Sequence, residues 1–110
     1  MNQRTFKFRC SEVAEYWDNR MPMMVMEEAG ELIQAISKLE RSFCKPGSKE
    51  AENLIDEIGD MYIALKALEL HYWSLGMNGK TIETLVGERI EKKLNKKYEE
   101  EPNYNKGTKT

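Results

Sequence analysis

The chain has 110 residues, 40% of them hydrophobic and 33% charged, with a net charge of −2. That size predicts one small domain over residues 1–110, whose modest core leans on self-association for further burial. The slight acidity excludes a binder of the nucleic-acid backbone, and no apolar run approaches the roughly 20 residues that a membrane-spanning helix needs.

Residues 1 to 9 are polar and basic, with Phe6 and Phe8 alternating among them. They predict an extended or frayed arm, flexible to about residue 10. Ser11 suits the N-cap of a short helix over residues 12 to about 19, with Val13, Tyr16 and Trp17 as its apolar side. Asp18-Asn19-Arg20 punctuates, and Pro22 suits the first turn of a long helix reaching about residue 42. The stretch FCKPGS, residues 43–48, is a turn by composition. A third helix follows over about 49–74, closed by the loop Leu75-Gly76-Met77-Asn78-Gly79. Thr81 caps a fourth helix with Ile82, Leu85, Val86, Ile90 and Leu94 as its apolar positions. The tail from about residue 99 is polar and expected to be mobile. With no strand signal, the expectation is an all-α protein resembling a four-helix bundle. Cys10 and Cys44 are isolated, without a C-x-x-C pair or a secretory segment, and are expected to be free thiols in a reducing cytoplasm.

The second and third helices repeat one pattern. VMEEAGELIQAISKLE at 25–40 overlays LIDEIGDMYIALKALE at 54–69, so that Glu27-Glu28-Ala29-Gly30-Glu31 falls on Asp56-Glu57-Ile58-Gly59-Asp60. At about 100° per residue, Val25, Ala29, Leu32, Ile36 and Leu39 form one apolar stripe. Leu54, Ile58, Met61, Leu65 and Leu68 form its counterpart. Glu28 and Glu31 neighbour each other at the edge of their stripe, Glu57 and Asp60 take the same places on theirs, and Glu27 and Asp56 point away.

Carboxylates at the margin of a packing seam are costly unless compensated, and four of them converging from two helices repel. A hard divalent cation removes that repulsion, and Glu and Asp oxygens suit magnesium or manganese. Gly30 and Gly59 each cost about 1 kcal/mol of helix propensity against Ala; the missing side chains would let a bulky ligand approach. A single E-x-x-E is an ordinary solvated face, whereas two matched copies point to a metal site.

The pattern E-E-x-x-E followed by E-x-x-D resembles the signature of the all-α nucleoside triphosphate pyrophosphohydrolases, the MazG-like family. It is carried here by Glu27, Glu28, Glu31, Glu57 and Asp60, within EEAGELIQAISK and LIDEIGDMYIAL. The likeness covers residues 22 to 70 and not the two ends. It implies a magnesium-dependent enzyme converting a nucleoside triphosphate to the monophosphate and pyrophosphate, with Glu28, Glu31, Glu57 and Asp60 as ligands. Glu27 would orient the water, serve a second metal or stay solvated. It also implies a homodimer or homotetramer, and a Lys/Arg and Asn cluster on the triphosphate. Lys93, Asn95 and Lys97 are the nearest equivalents, at a different spacing.

Lys38, two turns beyond Glu31 on the same flank, could meet a terminal phosphate or simply complement its helix dipole. The fourth-helix lysines carry the same two readings. Trp17 is the better of the two tryptophans for stacking on a base, ahead of Trp73. His71 lacks a Glu three residues earlier, so the E-x-x-H of di-iron bundles is missing. The rival expectations are a non-catalytic helical interaction module with a structural cation site, and the same chemistry on another nucleotide derivative.

Overall fold

A computed structural model describes residues 1–100 of the chain. The described residues form α1 (Gln3–Trp17), α2 (Met21–Arg41), α3 (Lys49–His71) and α4 (Ile82–Glu100), with single 3-10 turns at Asp18–Arg20 and Trp73–Leu75. No strand occurs among them beyond the isolated bridge between Met77 and Lys80, so the protein is all-α. None of these helices is long and apolar enough to cross a membrane. The helices fall into two compact units, Met1–Tyr72 and a second beginning at Trp73.

In the first unit α2 packs chiefly on α3, and α1 lies mainly on α3 with a smaller contact to α2. Pro22 sits in the first turn of α2, where its missing N–H leaves no bond unmade. The α2–α3 connection turns through Phe43 and Cys44, both left-handed at φ 64° and 53°, and Gly47 at φ 74°. Ser48 then caps α3, its hydroxyl accepting from the Ala51 N–H at 3.1 Å, with Glu50 and Glu52 in the favourable first turn. α3 ends at His71, three residues short of the expected boundary, and a 3-10 turn takes up Trp73–Leu75.

The expected N-terminal arm is instead helix. Asn2, not Ser11, is the cap: its side-chain oxygen accepts from the Thr5 N–H at 2.8 Å. Ser11 lies mid-helix and bonds back to the Phe8 carbonyl. The reason is a helical stripe through Phe6, Cys10, Val13 and Trp17, which outweighs the apparent alternation of Phe6 and Phe8. Cys10, at 2% exposure, is a core residue; both cysteines are free thiols.

Small side chains make the core. Ala14, Ala35, Ala64 and Ala67 are buried with Cys10 and Met21. Around Ala14, Met21 and Ala67 pack Val13, Trp17, Met24, Val25, Leu68 and Leu70. The seam between α2 and α3 is therefore rotated by roughly half a residue step, about 50°, from the expected stripes. Ala35 and its repeat partner Ala64 take its centre, while Ile36, Ile58 and Leu65 are left 46%, 41% and 50% exposed at its rim. Alanine permits close helix approach, and the rotation turns both helices toward their acids.

In the second unit α4 packs on the Trp73–Leu75 turn. Asn78 and Gly79, at φ 54° and 73°, reverse the chain, and a Cβ on Gly76 would lie 2.6 Å from the Lys80 carbonyl. Thr81 caps α4 as expected, its hydroxyl accepting from the Thr84 N–H at 3.2 Å. Lys80 ties the loop to Glu88 at 2.7 Å. Residues 99 and 100 complete α4; the rest of the expected mobile tail lies outside the described residues.

Candidate functional site

Glu28 and Asp60 are equidistant from Cys44 at the hairpin turn, and so are Glu31 and Glu57. In an antiparallel helix pair this brings the members of each pair to one level, the two levels lying about one helical turn apart. Carboxylate oxygens of Glu28, Glu31 and Glu57 lie within 4.8 Å of one another. The rotated seam places Glu28 and Glu57 half-buried between the helices, with Glu31 and Asp60 exposed. The Oε2 atoms of Glu28 and Glu57 are buried and have no hydrogen-bond partner.

Both half-buried carboxyls are pushed above their ordinary value of 4.5. For Glu28 the main cause is desolvation, followed by the charges of Glu31, Asp60, Glu57 and Glu27. For Glu57 desolvation again leads, then the charges of Glu31 and Asp60, a hydrogen bond that protonated Glu57 donates to the Glu31 carboxylate, and Asp56. Among the described residues, no donor reaches two of the cluster's buried acceptors, and the charges that act on them are all negative. An all-oxygen set of this kind can hold a hard divalent cation such as magnesium, with water or phosphate completing the shell.

Asp60, one methylene shorter than Glu31, stays outside the three-carboxylate cluster but acts on Glu28 and Glu57 through its charge. It lines a cleft of about 110 Å³ together with Glu28, Val13, Trp17 and Ile63. Trp17 is therefore a wall of the space beside the acids. Tyr16 meets its ring edge-on at 5.1 Å, and the Arg20 guanidinium lies 5.0 Å from its centroid. A Cβ on Gly30 or Gly59 would meet nothing within 4 Å, so packing does not demand glycine at either position.

None of the other expected residues is among the three carboxylates of the cluster. Glu27 is exposed and reaches Glu28 only through its charge. Lys38 is exposed in the last turn of α2, where the dipole favours a cation. Lys93, Asn95 and Lys97 are exposed on α4, in the second unit. His71 closes α3 with its ring edge-on to Tyr72 at 4.8 Å, and Trp73 is exposed in the second unit. Val13 and Ile63 of the cleft were not singled out for the site by sequence; the Phe6–Cys10–Val13–Trp17 spacing was the available signal for the helix that supplies one of them. Compared with protein-family models, with curated proteins and with solved structures, the chain matches none.

Proposed function

We propose that this chain is a MazG-like all-α nucleoside triphosphate pyrophosphohydrolase, converting a (d)NTP and water to the (d)NMP and pyrophosphate with magnesium, or manganese in its place. The observation that supports this most is the convergence of Glu28, Glu31 and Glu57 within 4.8 Å, two of them with buried oxygens that no donor reaches. Magnesium, when bound, would supply positive charge to the phosphate oxygens on which negative charge develops. Glu28, Glu31 and Glu57 would hold it, with Asp60 completing the acidic edge from the cleft side. Glu27, on the solvent side, is left to orient a water. Trp17 gives the apolar wall against which a base can lie. Phosphate contacts by Lys38, Lys93, Asn95 and Lys97 rest on the family resemblance alone.

The same reading includes a homodimer or homotetramer. Met23, Met26 and Ile33 on α2, and Ile55, Ile58, Tyr62 and Leu65 on α3, are exposed at spacings that form outward apolar stripes. Those stripes also favour the second reading, a non-catalytic helical interaction module with a structural cation site. Free Cys10 and Cys44 suit a reducing cytoplasm.

The test is pyrophosphate release from a panel of ribo- and deoxyribonucleoside triphosphates and nucleotide derivatives, with magnesium and with manganese. Release from triphosphates that disappears in Glu28→Gln, while circular dichroism stays helical, supports the hydrolase. Release from another derivative alone moves the activity to that substrate. No release from any compound leaves the interaction module.

A further inference from the structure

Beside the acidic cleft the first unit has a larger cavity of about 500 Å³. That is within the roughly 300–1,000 Å³ of sites that enclose small organic ligands. Phe6, Tyr16 and Trp17 supply aromatic surface, and Arg9 and Glu12 are its charged side chains. The cavity shares Val13, Trp17 and Ile63 with the cleft that contains Glu28 and Asp60. The cleft thus joins Glu28 of the acidic cluster to the cavity, most of whose wall is α1.

We propose that this cavity takes the heteroaromatic base of the nucleotide, and that Arg9 and Glu12 read its edge. The inference rests on the triphosphate reading of the acidic cluster and deepens it by naming what selects among substrates. A base is flat, apolar on its faces and lined with donors and acceptors at its rim. Trp17 matches one face, with Tyr16 edge-on to it closing the side; a guanidinium such as Arg9 offers only donors, and a carboxylate such as Glu12 only acceptors. Arg9 and Glu12 are three apart on α1, so they stand side by side on one flank. An adjacent donor and acceptor of this kind distinguish bases by the order of polar groups along the rim, because a mismatched edge leaves a group unpaired. Cys10, buried at the back of the cavity, adds apolar surface and no charge of its own at neutral pH, its thiol being pushed up chiefly by desolvation.

The experiment is calorimetric titration of the full chain with magnesium and non-hydrolysable triphosphates of the four common bases, with inorganic tripolyphosphate as the probe lacking a base. A Trp73→Phe background leaves Trp17 as the only tryptophan, so its fluorescence reports ring stacking. Nucleotides should bind about ten-fold or more tighter than tripolyphosphate and quench Trp17. Tyr16→Ala, at a 72% exposed position, should weaken all four nucleotides together. Glu12→Gln and Arg9→Gln, both surface changes, should each alter the order of preference among the bases by about ten-fold. Tripolyphosphate binding as tightly as the nucleotides, or an unchanged base order in both edge variants, overturns the proposal. Nucleotide binding whose base order changes in the edge variants, but with no pyrophosphate release, would keep this pocket and sink the hydrolase. No binding by any probe would overturn both.

Discussion

Helices α2 and α3 carry the same acidic pattern on nearly the same scaffold, yet their acids end differently. Glu28 and Glu57 are equivalent in position and in fate: both are half-buried, and both keep one oxygen that no donor reaches. Glu31 and Asp60 are equivalent in position only. Glu31 enters the three-carboxylate cluster, while Asp60 turns to the cleft beside Glu28. One methylene, about 1.5 Å of reach, separates them. The repeat fixes where the backbone delivers an acid; side-chain length decides which chemistry it joins.

Removing a member of the equivalent pair should have the largest effect. Glu28→Gln should lower kcat/KM for triphosphate hydrolysis by more than about 100-fold, the upper loss typical of removing even a partner of a metal ligand. Without magnesium it should melt no lower than the parent, because a repelling charge has gone; differential scanning calorimetry checks the second half. The unequal pair gives a smaller effect. Glu31→Asp should weaken magnesium binding by about ten-fold, and pairing it with Asp60→Glu should recover part of that loss. Full affinity in Glu31→Asp by calorimetric titration would show that the length difference is immaterial.

A pH series sharpens the comparison further. Glu28 and Glu57 have folded values raised above the ordinary 4.5, so between that value and the raised one the folded chain binds more protons than the unfolded chain. Stability without magnesium should accordingly fall as pH rises through that window and level off above it. Saturating magnesium should flatten the slope, since a bound cation replaces the proton. Melting temperatures with and without chelator from pH 4 to 8 measure it, and parallel curves would contradict a cation at this cluster. The smallest effect lies at the hairpin turn: Phe43, 93% exposed at φ 64°, loses no packing as glycine. Phe43→Gly should stabilise the chain by about 1 kcal/mol in urea titration.

Much of the helix pair was legible in the chain itself. Pro22 and the FCKPGS turn delimit α2 and α3 to within a residue or two, except at the end of α3, and the matched spacing of the two acidic motifs accounts for the convergence of Glu28, Glu31 and Glu57, though not for Asp60 staying outside it. Two things were not legible. The aliphatic stripes suggested a seam centred on Ile36, Ile58 and Leu65; the buried centre is alanine, because close approach favours small residues that a hydrophobicity pattern counts least. The start of α1 was hidden because Ser11 looks like a cap, whereas Asn2 is one, and a basic, weakly apolar stretch becomes helix only where Phe6, Cys10 and Ala14 have a surface to pack on. With residues 3–11 read as an arm, the part of the cavity that Phe6, Arg9 and Cys10 line was unread too.

Two carboxylate oxygens enclosed without a donor among the described residues leave the helix pair open to stabilisation by charge from outside. The atoms that would grip a cation also lie between α2 and α3, so capture of a ligand and tightening of the scaffold would be one event. Such a protein is stiffest when loaded, and amide exchange in its empty form should begin at the turns bearing Glu28 and Glu57.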